Sequence, residues 1–162
     1  SRPSRSPVSD GMNGGPVPDD VGFRIDLADE TATTALAEDI AAILKVGDVL
    51  ALVGDLGAGK TTFVQGLGFA LGLKRPLTSP TFTVCTEHRT ASFTLVHMDL
   101  YRLSGPDDLL TIGYPEYLET GAVVAVEWPE RAGELIPPDA LHVRVSLTDD
   151  PETRVITVSC GD

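Results

Sequence analysis

Phe23, Ile25 and Leu27 alternate with polar residues, the period-two pattern of a half-buried strand. Asp29 then stands where a helix cap belongs, and Leu36, Ile40, Ile43 and Leu44 recur at helical spacing up to Gly47. The run Val49 to Val53 is apolar throughout, as in a strand covered on both faces. It leads into GDLGAGKTT and a helix from Lys60 to about Leu71, stopped by Gly72. Thr81–Glu87 and Ser92–Asp99 form a predicted β-hairpin turning at His88–Ala91. Ser104 with Asp107 has the form of a capping box, with Asp in place of Glu or Gln, and predicts one or two short helices through Tyr117. GAVVAVEW is a further buried strand ending in Glu127, and Leu141–Leu147 and Arg154–Ser159 alternate around a turn at Asp149–Pro151. Helices mixed with both kinds of strand predict an α/β domain, a mixed central sheet flanked by helices.

Before Val21 the texture differs. Residues 1–20 hold four Ser, four Pro and three Gly and little to bury, which predicts a disordered tail ahead of one domain over 21–162. The full length of 162 residues suits a single domain. Charge changes the picture more than size does: 24 acidic against 12 basic residues give a net −12. Such a chain does not hold a nucleic-acid backbone by bulk electrostatics, so any contact with nucleic acid is local or passes through another protein. Between Asp99 and Glu134 alone, eight acids face Arg102 and Arg131. No apolar run approaches the ~20 residues of a membrane span, and the N-terminus lacks the apolar stretch of a signal peptide. Cys85 and Cys160 are too few for a disulfide framework, which suggests thiols in a reducing, cytoplasmic compartment.

Gly54, Asp55, Leu56, Gly57, Ala58, Gly59, Lys60 and Thr61 match G-x-x-x-x-G-K-[ST] without a gap, between an apolar strand and a helical pattern. Glycines let the backbone turn its N–H groups around phosphate oxygens, and the helix N-terminus adds its positive end. In that arrangement Lys60 reaches the β- and γ-phosphates, the Thr61 hydroxyl takes a place on Mg²⁺, and Thr62 donates to the α-phosphate. A phosphate loop also needs a carboxylate near the metal and a group that positions water. Two apolar strands end in acids, Asp99 and Glu127, and the pattern leaves open which of them holds the metal. Thr81, in SPTFT, is a candidate switch hydroxyl for the γ-phosphate, against the plainer reading of a Ser-Pro turn entering a strand. His97 lies among apolar neighbours and reads as a packed or hydrogen-bonded residue rather than a catalyst. Trp128, the sole tryptophan, adjoins Glu127 and is placed to report nucleotide binding.

The nucleotide is narrowed by what is missing. Neither Lys45, Lys60 nor Lys74 is followed at two residues by Asp, so a guanine-reading N/T-K-x-D element is absent and ATP is the default. Arginines after Asp99 are scattered rather than gathered into a kinase lid. Hydrolysis coupled to a partner therefore fits better than phosphoryl transfer to a metabolite. A small-molecule kinase and a non-hydrolytic, nucleotide-gated binding module are the competing readings.

DETATTALAEDIA, GDLGAGKTTFVQGLG, SPTFTV, HMDLYRL and VEWPER, in this order and spacing, resemble the TsaE (YjeE-like) family from about Phe23 to Ser159. That family is the ATPase component of bacterial tRNA threonylcarbamoyladenosine synthesis. The resemblance implies a single-domain P-loop NTPase fold, ATP as substrate with Mg²⁺, and two protein partners, TsaB and TsaD. TsaD transfers the threonylcarbamoyl group to N6 of an adenosine beside certain anticodons, and TsaE-like proteins bind the pair and hydrolyse ATP to sustain turnover. No direct grip on tRNA by this chain alone is expected. By the same resemblance, Thr61 and Glu127 match magnesium-binding positions, and Asp99 matches an acid needed for hydrolysis, as water-orienting group or part of the metal's surroundings. Lys60, Asp99 and Glu127 form the implied catalytic set. Ser79, Pro80 and Thr81 match the switch-like loop, Glu30 and Thr33 a helix that approaches the nucleotide, and Glu130 and Arg154 further nucleotide contacts. The chain departs from the family pattern at Ala37, where Gly is common, and at Cys85, where an apolar residue is usual.

Overall fold

Val49–Gly54 and Val123–Glu127 are covered on both faces, and that is what their unbroken apolar runs require. In the computed structural model, which describes residues 21–26, 30–54, 60–74, 85–150 and 153–160, these two strands lie side by side at the centre of the sheet. In chain order the elements are β1 (Val21–Asp26), α1 (Glu30–Ile43), β2 (Val49–Gly54), α2 (Lys60–Ala70), β3 (Cys85–Arg89) and β4 (Thr94–Asp99). There follow α3 (Pro106–Thr111), α4 (Tyr114–Glu119), β5 (Val123–Glu127), β6 (Leu141–Leu147) and β7 (Thr153–Cys160). Two single 3-10 turns, Pro129–Arg131 and Gly133–Leu135, connect β5 towards β6.

Among the described residues seven strands form one sheet in the order β1-β7-β6-β2-β5-β4-β3. β6, β2, β5 and β4 are mutually parallel, whereas β7 and β3, which flank these four, run the other way. β1 is antiparallel to β7 and so points the same way as the central four. The carboxyl ends Leu147, Gly54, Glu127 and Asp99 therefore share one end of the sheet, where open α/β sheets bind their ligands.

Strand alternation divides the core in two. Leu36 and Ile40 of α1 with Phe63, Val64 and Leu67 of α2 pack on Leu50, Leu52, Ala125 and Val143. On the opposite face Leu109, Tyr114 and Ala132 cover Val96, Met98, Val124 and Val126. Ala37 is fully buried and faces Gly66 of α2, where an added Cβ would stand 3.5 Å from the alanine Cβ. Position 37 thus serves the contact between α1 and α2. At the end of β2, a Cβ on Gly54 would stand 2.5 Å from the Val145 carbonyl oxygen of β6, so the sheet itself admits only glycine there.

Several details differ from the sequence pattern. Ile43 is 56% exposed because α1 ends there, and Leu44 beyond the helix takes the buried place instead. The hairpin turns later than expected: His88 and Arg89 belong to β3, and Arg89 pairs with Thr94. The buried Thr90 hydroxyl makes that turn, donating to the Phe93 carbonyl at 2.6 Å and accepting from the Phe93 N–H at 3.1 Å. At α3 the cap is Gly105, and Asp108 rather than Asp107 reaches back, accepting from the Ser104 N–H at 2.9 Å. Residues 1–20 and the expected cap Asp29 lie outside the described residues.

Candidate nucleotide site

Three adjacent strand ends build the site. Glu127, the last residue of β5, lies opposite Leu52 of β2 on one side and Asp99 of β4 on the other. β2 ends at Gly54, and α2 opens at Lys60, whose side chain is only 7% exposed. The Lys60 ammonium stands over the Trp128 ring, 4.8 Å from its centroid, a cation–π contact of about 0.5–2 kcal/mol. Trp128 meets Tyr101 with centroids 4.9 Å apart and planes tilted by 54°, and the Arg131 guanidinium lies 6.0 Å from the Tyr101 ring. Arg131 is further anchored by donating to the Leu103 carbonyl at 3.3 Å.

Trp128 is held with φ 59° and ψ 52°, among the described residues the only non-glycine with positive φ. A left-handed conformation at a bulky residue costs about 1–3 kcal/mol and persists where its surroundings over-determine it. Here the Lys60 and Tyr101 contacts, with buried Pro129 following, supply those surroundings.

The two acids have different partners. Glu127 is buried and its Oε2 accepts from His97 Nε2 at 2.7 Å. A carboxylate in this role only accepts, so Nε2 carries the hydrogen. Asp99 is half-buried, and its Oδ1 accepts from the Tyr101 backbone N–H at 3.1 Å, tightening the chain as it leaves the strand. The backbone joins the two ends as well, since Leu100 N–H donates to the Glu127 carbonyl at 3.1 Å.

Among the described residues no three His, Cys, Asp or Glu side chains cluster into a complete metal cage. Mg²⁺ does not require one: it keeps waters and is held by one or two protein oxygens together with phosphates. Glu127 fits that demand, with Oε2 bonded to His97 and Oε1 left for another oxygen-seeking partner.

Away from the strand ends, burial raises the Cys85 thiol pKa, with Glu87 adding to the rise and the Tyr117 hydroxyl, 3.7 Å away, opposing it. Tyr117 is raised in turn by its bond to Cys85 and by burial. Burial pushes Tyr114 up to about 12 and its hydroxyl donates to the Leu135 carbonyl at 2.9 Å. His88 is lowered, by burial first and by His97 second.

Residues 27–156 match the family model described as threonylcarbamoyl adenosine biosynthesis protein TsaE. The chain belongs to the TsaE family. Proteins named tRNA threonylcarbamoyladenosine biosynthesis protein TsaE are similar to it over most of their length. The one from Aquifex aeolicus is 48% identical over 131 residues, 80% of this chain and 90% of that protein. The one from Bacillus subtilis is 39% identical over 130 residues, 80% of this chain and 81% of that protein. The crystal structure of Bacillus subtilis YdiB superposes with a TM-score of 0.71 at 34% identity, covering 88% of this chain and 86% of that one. The α/β layering is accordingly that of a P-loop NTPase fold, and membership places the chain in tRNA threonylcarbamoyladenosine biosynthesis.

Within this TsaE fold the residues singled out by sequence fall into four groups. Gly54, Lys60, Asp99 and Glu127 gather at one end of the sheet. Thr62 is exposed in the first turn of α2, Glu130 is exposed on the turn after Trp128, and Arg154 is the second residue of β7, opposite Leu147, with Nη1 donating to the Thr153 carbonyl at 3.0 Å. Glu30 and Thr33 lie in the first turns of α1, at the same end, and Thr61 is the second residue of α2. Asp55, Leu56, Gly57, Ala58 and Gly59, with Ser79, Pro80 and Thr81, lie outside the described residues. The sequence pattern overlooked Tyr101 as the partner of Trp128 and Arg131 as the cation beside Tyr101; the aromatic residue directly after HMDL was the available signal for the first, and no local spacing marked the second. It also read the bonding of His97 without its partner, since residues 97 and 127 meet only through strand register.

Proposed function

We propose that this chain is a Mg²⁺-dependent ATPase that acts with a TsaD–TsaB-type pair and whose hydrolysis sustains their turnover. The observation that carries this reading is the meeting of Gly54, Lys60 and the buried Glu127 at adjacent strand ends. Lys60 and the N–H groups of the loop after Gly54 would neutralise charge on the β- and γ-phosphates. Glu127 and the Thr61 hydroxyl would hold Mg²⁺, which would supply neutralisation of phosphate charge when bound. Asp99, one strand further from β2, is better placed to orient water or hold a metal-bound water than to reach the metal first. Lys60 must leave the Trp128 face or share it with phosphate as nucleotide enters. The names of the relatives support the pathway, and the acidic net charge of −12 supports a partner-borne tRNA rather than a direct grip. No helix among the described residues is long and apolar enough to cross a membrane, in keeping with a place in the cytoplasm beside tRNA.

The test is phosphate release from ATP and Mg²⁺ with and without a purified TsaD–TsaB pair. Stimulated release supports the proposal. ATP-tightened partner binding without release would favour a nucleotide-gated binding module, and a phosphorylated metabolite would favour a kinase. Lys60→Ala should abolish nucleotide binding or hydrolysis, and an unaffected variant would overturn the site.

A further inference from the structure

His97 is the most deeply buried polar side chain among the described residues, 1% exposed, on β4 two residues before Asp99. Register sets it opposite Ala125, and strand alternation brings Glu127, two residues on, to the same face. Leu95 and Ala125 on that face are wholly buried and apolar. Among the described residues Nδ1 of the ring has no hydrogen-bond partner, while Nε2 holds Glu127 Oε2 at 2.7 Å. A buried polar atom without a partner is costly, so packing alone does not account for a histidine here. The bond to Glu127 does. A glutamate fixed in one rotamer forgoes side-chain freedom, and a partner anchored in a central strand can fix it before any ligand arrives.

We propose that His97 is a positioning residue, whose Nε2–H pins one Glu127 oxygen and thereby leaves the other to serve Mg²⁺ at the phosphate loop. This rests on Glu127 as the carboxylate that holds the metal. His97 itself touches neither metal nor nucleotide.

The experiment measures Mn²⁺, in place of Mg²⁺, binding to the protein–ADP complex by electron paramagnetic resonance, with thermal melting to confirm folding. His97→Leu fills the space without a donor and should weaken Mn²⁺ by about 10–100-fold. His97→Gln returns an N–H near Nε2 and should recover most of that loss. ADP affinity in chelator should be unchanged in both variants. In a Glu127→Gln background, His97→Leu should add nothing. Normal Mn²⁺ affinity in His97→Leu, beside a weakened Glu127→Gln, overturns the positioning role and leaves the Glu127 assignment standing. Normal affinity in Glu127→Gln overturns that assignment and the proposal with it. Should the variants not fold, ring-¹⁵N spectra of the wild-type protein decide. A hydrogen on Nε2 that persists with Mg²⁺ and ADP supports the proposal, and a bare Nε2 overturns it.

Discussion

Glu127 and Asp99 are paired acids on neighbouring parallel strands, each the last residue of its strand, yet they are held in opposite ways. Glu127 is buried, gripped by a side chain from the sheet interior and flanked by the strand that leads to the phosphate loop. Asp99 is half-buried and gripped by the backbone two residues ahead. Identical chemistry at equivalent strand positions thus acquires different surroundings from its neighbours, and under the proposed function different duties would follow. A buried carboxylate with a fixed partner suits the constant demands of a metal. A carboxylate tied to a departing loop is freer to follow substrate or water.

This contrast can be broken experimentally. Glu127→Gln keeps the shape and removes the charge, and should lower single-turnover ATP hydrolysis by about 10²–10³-fold, the size seen when one preorganised charge-stabilising group is lost. Its Mg²⁺ requirement should move to higher concentration. Asp99→Asn keeps Oδ1 for the Tyr101 N–H and should cost hydrolysis roughly 10–100-fold, the range typical of an outer partner, with Mn²⁺ affinity little changed. Equal metal defects in the two variants would erase the distinction. Trp128, the only tryptophan, touches both Lys60 and Tyr101, so a saturating ATP analogue with Mg²⁺ should change its emission. An unchanged spectrum would mean that Lys60 keeps its place over the ring.

The smallest effect concerns pH. The His88 pKa is lowered from 6.5 in the folded state, so the unfolded chain takes up this proton first as pH falls. Its cost to stability is nil well above 6.5 and grows as pH drops from there through the folded value. Melting temperatures of His88→Gln should therefore coincide with wild type near neutrality and fall slightly less under acid. A steeper acid loss in the variant would contradict that sign.

Much of this arrangement was legible in the chain. Val49 to Val53 before GDLGAGKTT identified β2 and α2 because a doubly buried strand leaves an unbroken apolar run. Glu127 and Asp99 were visible for the same reason, as charges closing such runs. What escaped was decided between strands. The His97–Glu127 bond depends on a parallel register across thirty residues of chain, which no local spacing records. Trp128 gave no sign of its left-handed backbone, since that geometry ordinarily announces itself as glycine. Asp108 displaced Asp107 at the cap because the helix began after Gly105, and such boundaries are set by packing as much as by residue type.

Gly54 carries two obligations at once. Its motif assigns it to phosphate, but the Val145 carbonyl already forbids any larger residue there. A Gly54→Ala protein would pry β2 from β6 before nucleotide entered the question, so lost binding in that variant would report a wedged sheet. The same position would stay glycine in a descendant that had abandoned ATP altogether. For this chain the first glycine of the motif is therefore a poor witness to catalysis, and Lys60 and Glu127, whose backbones no neighbour constrains in this way, are the better ones.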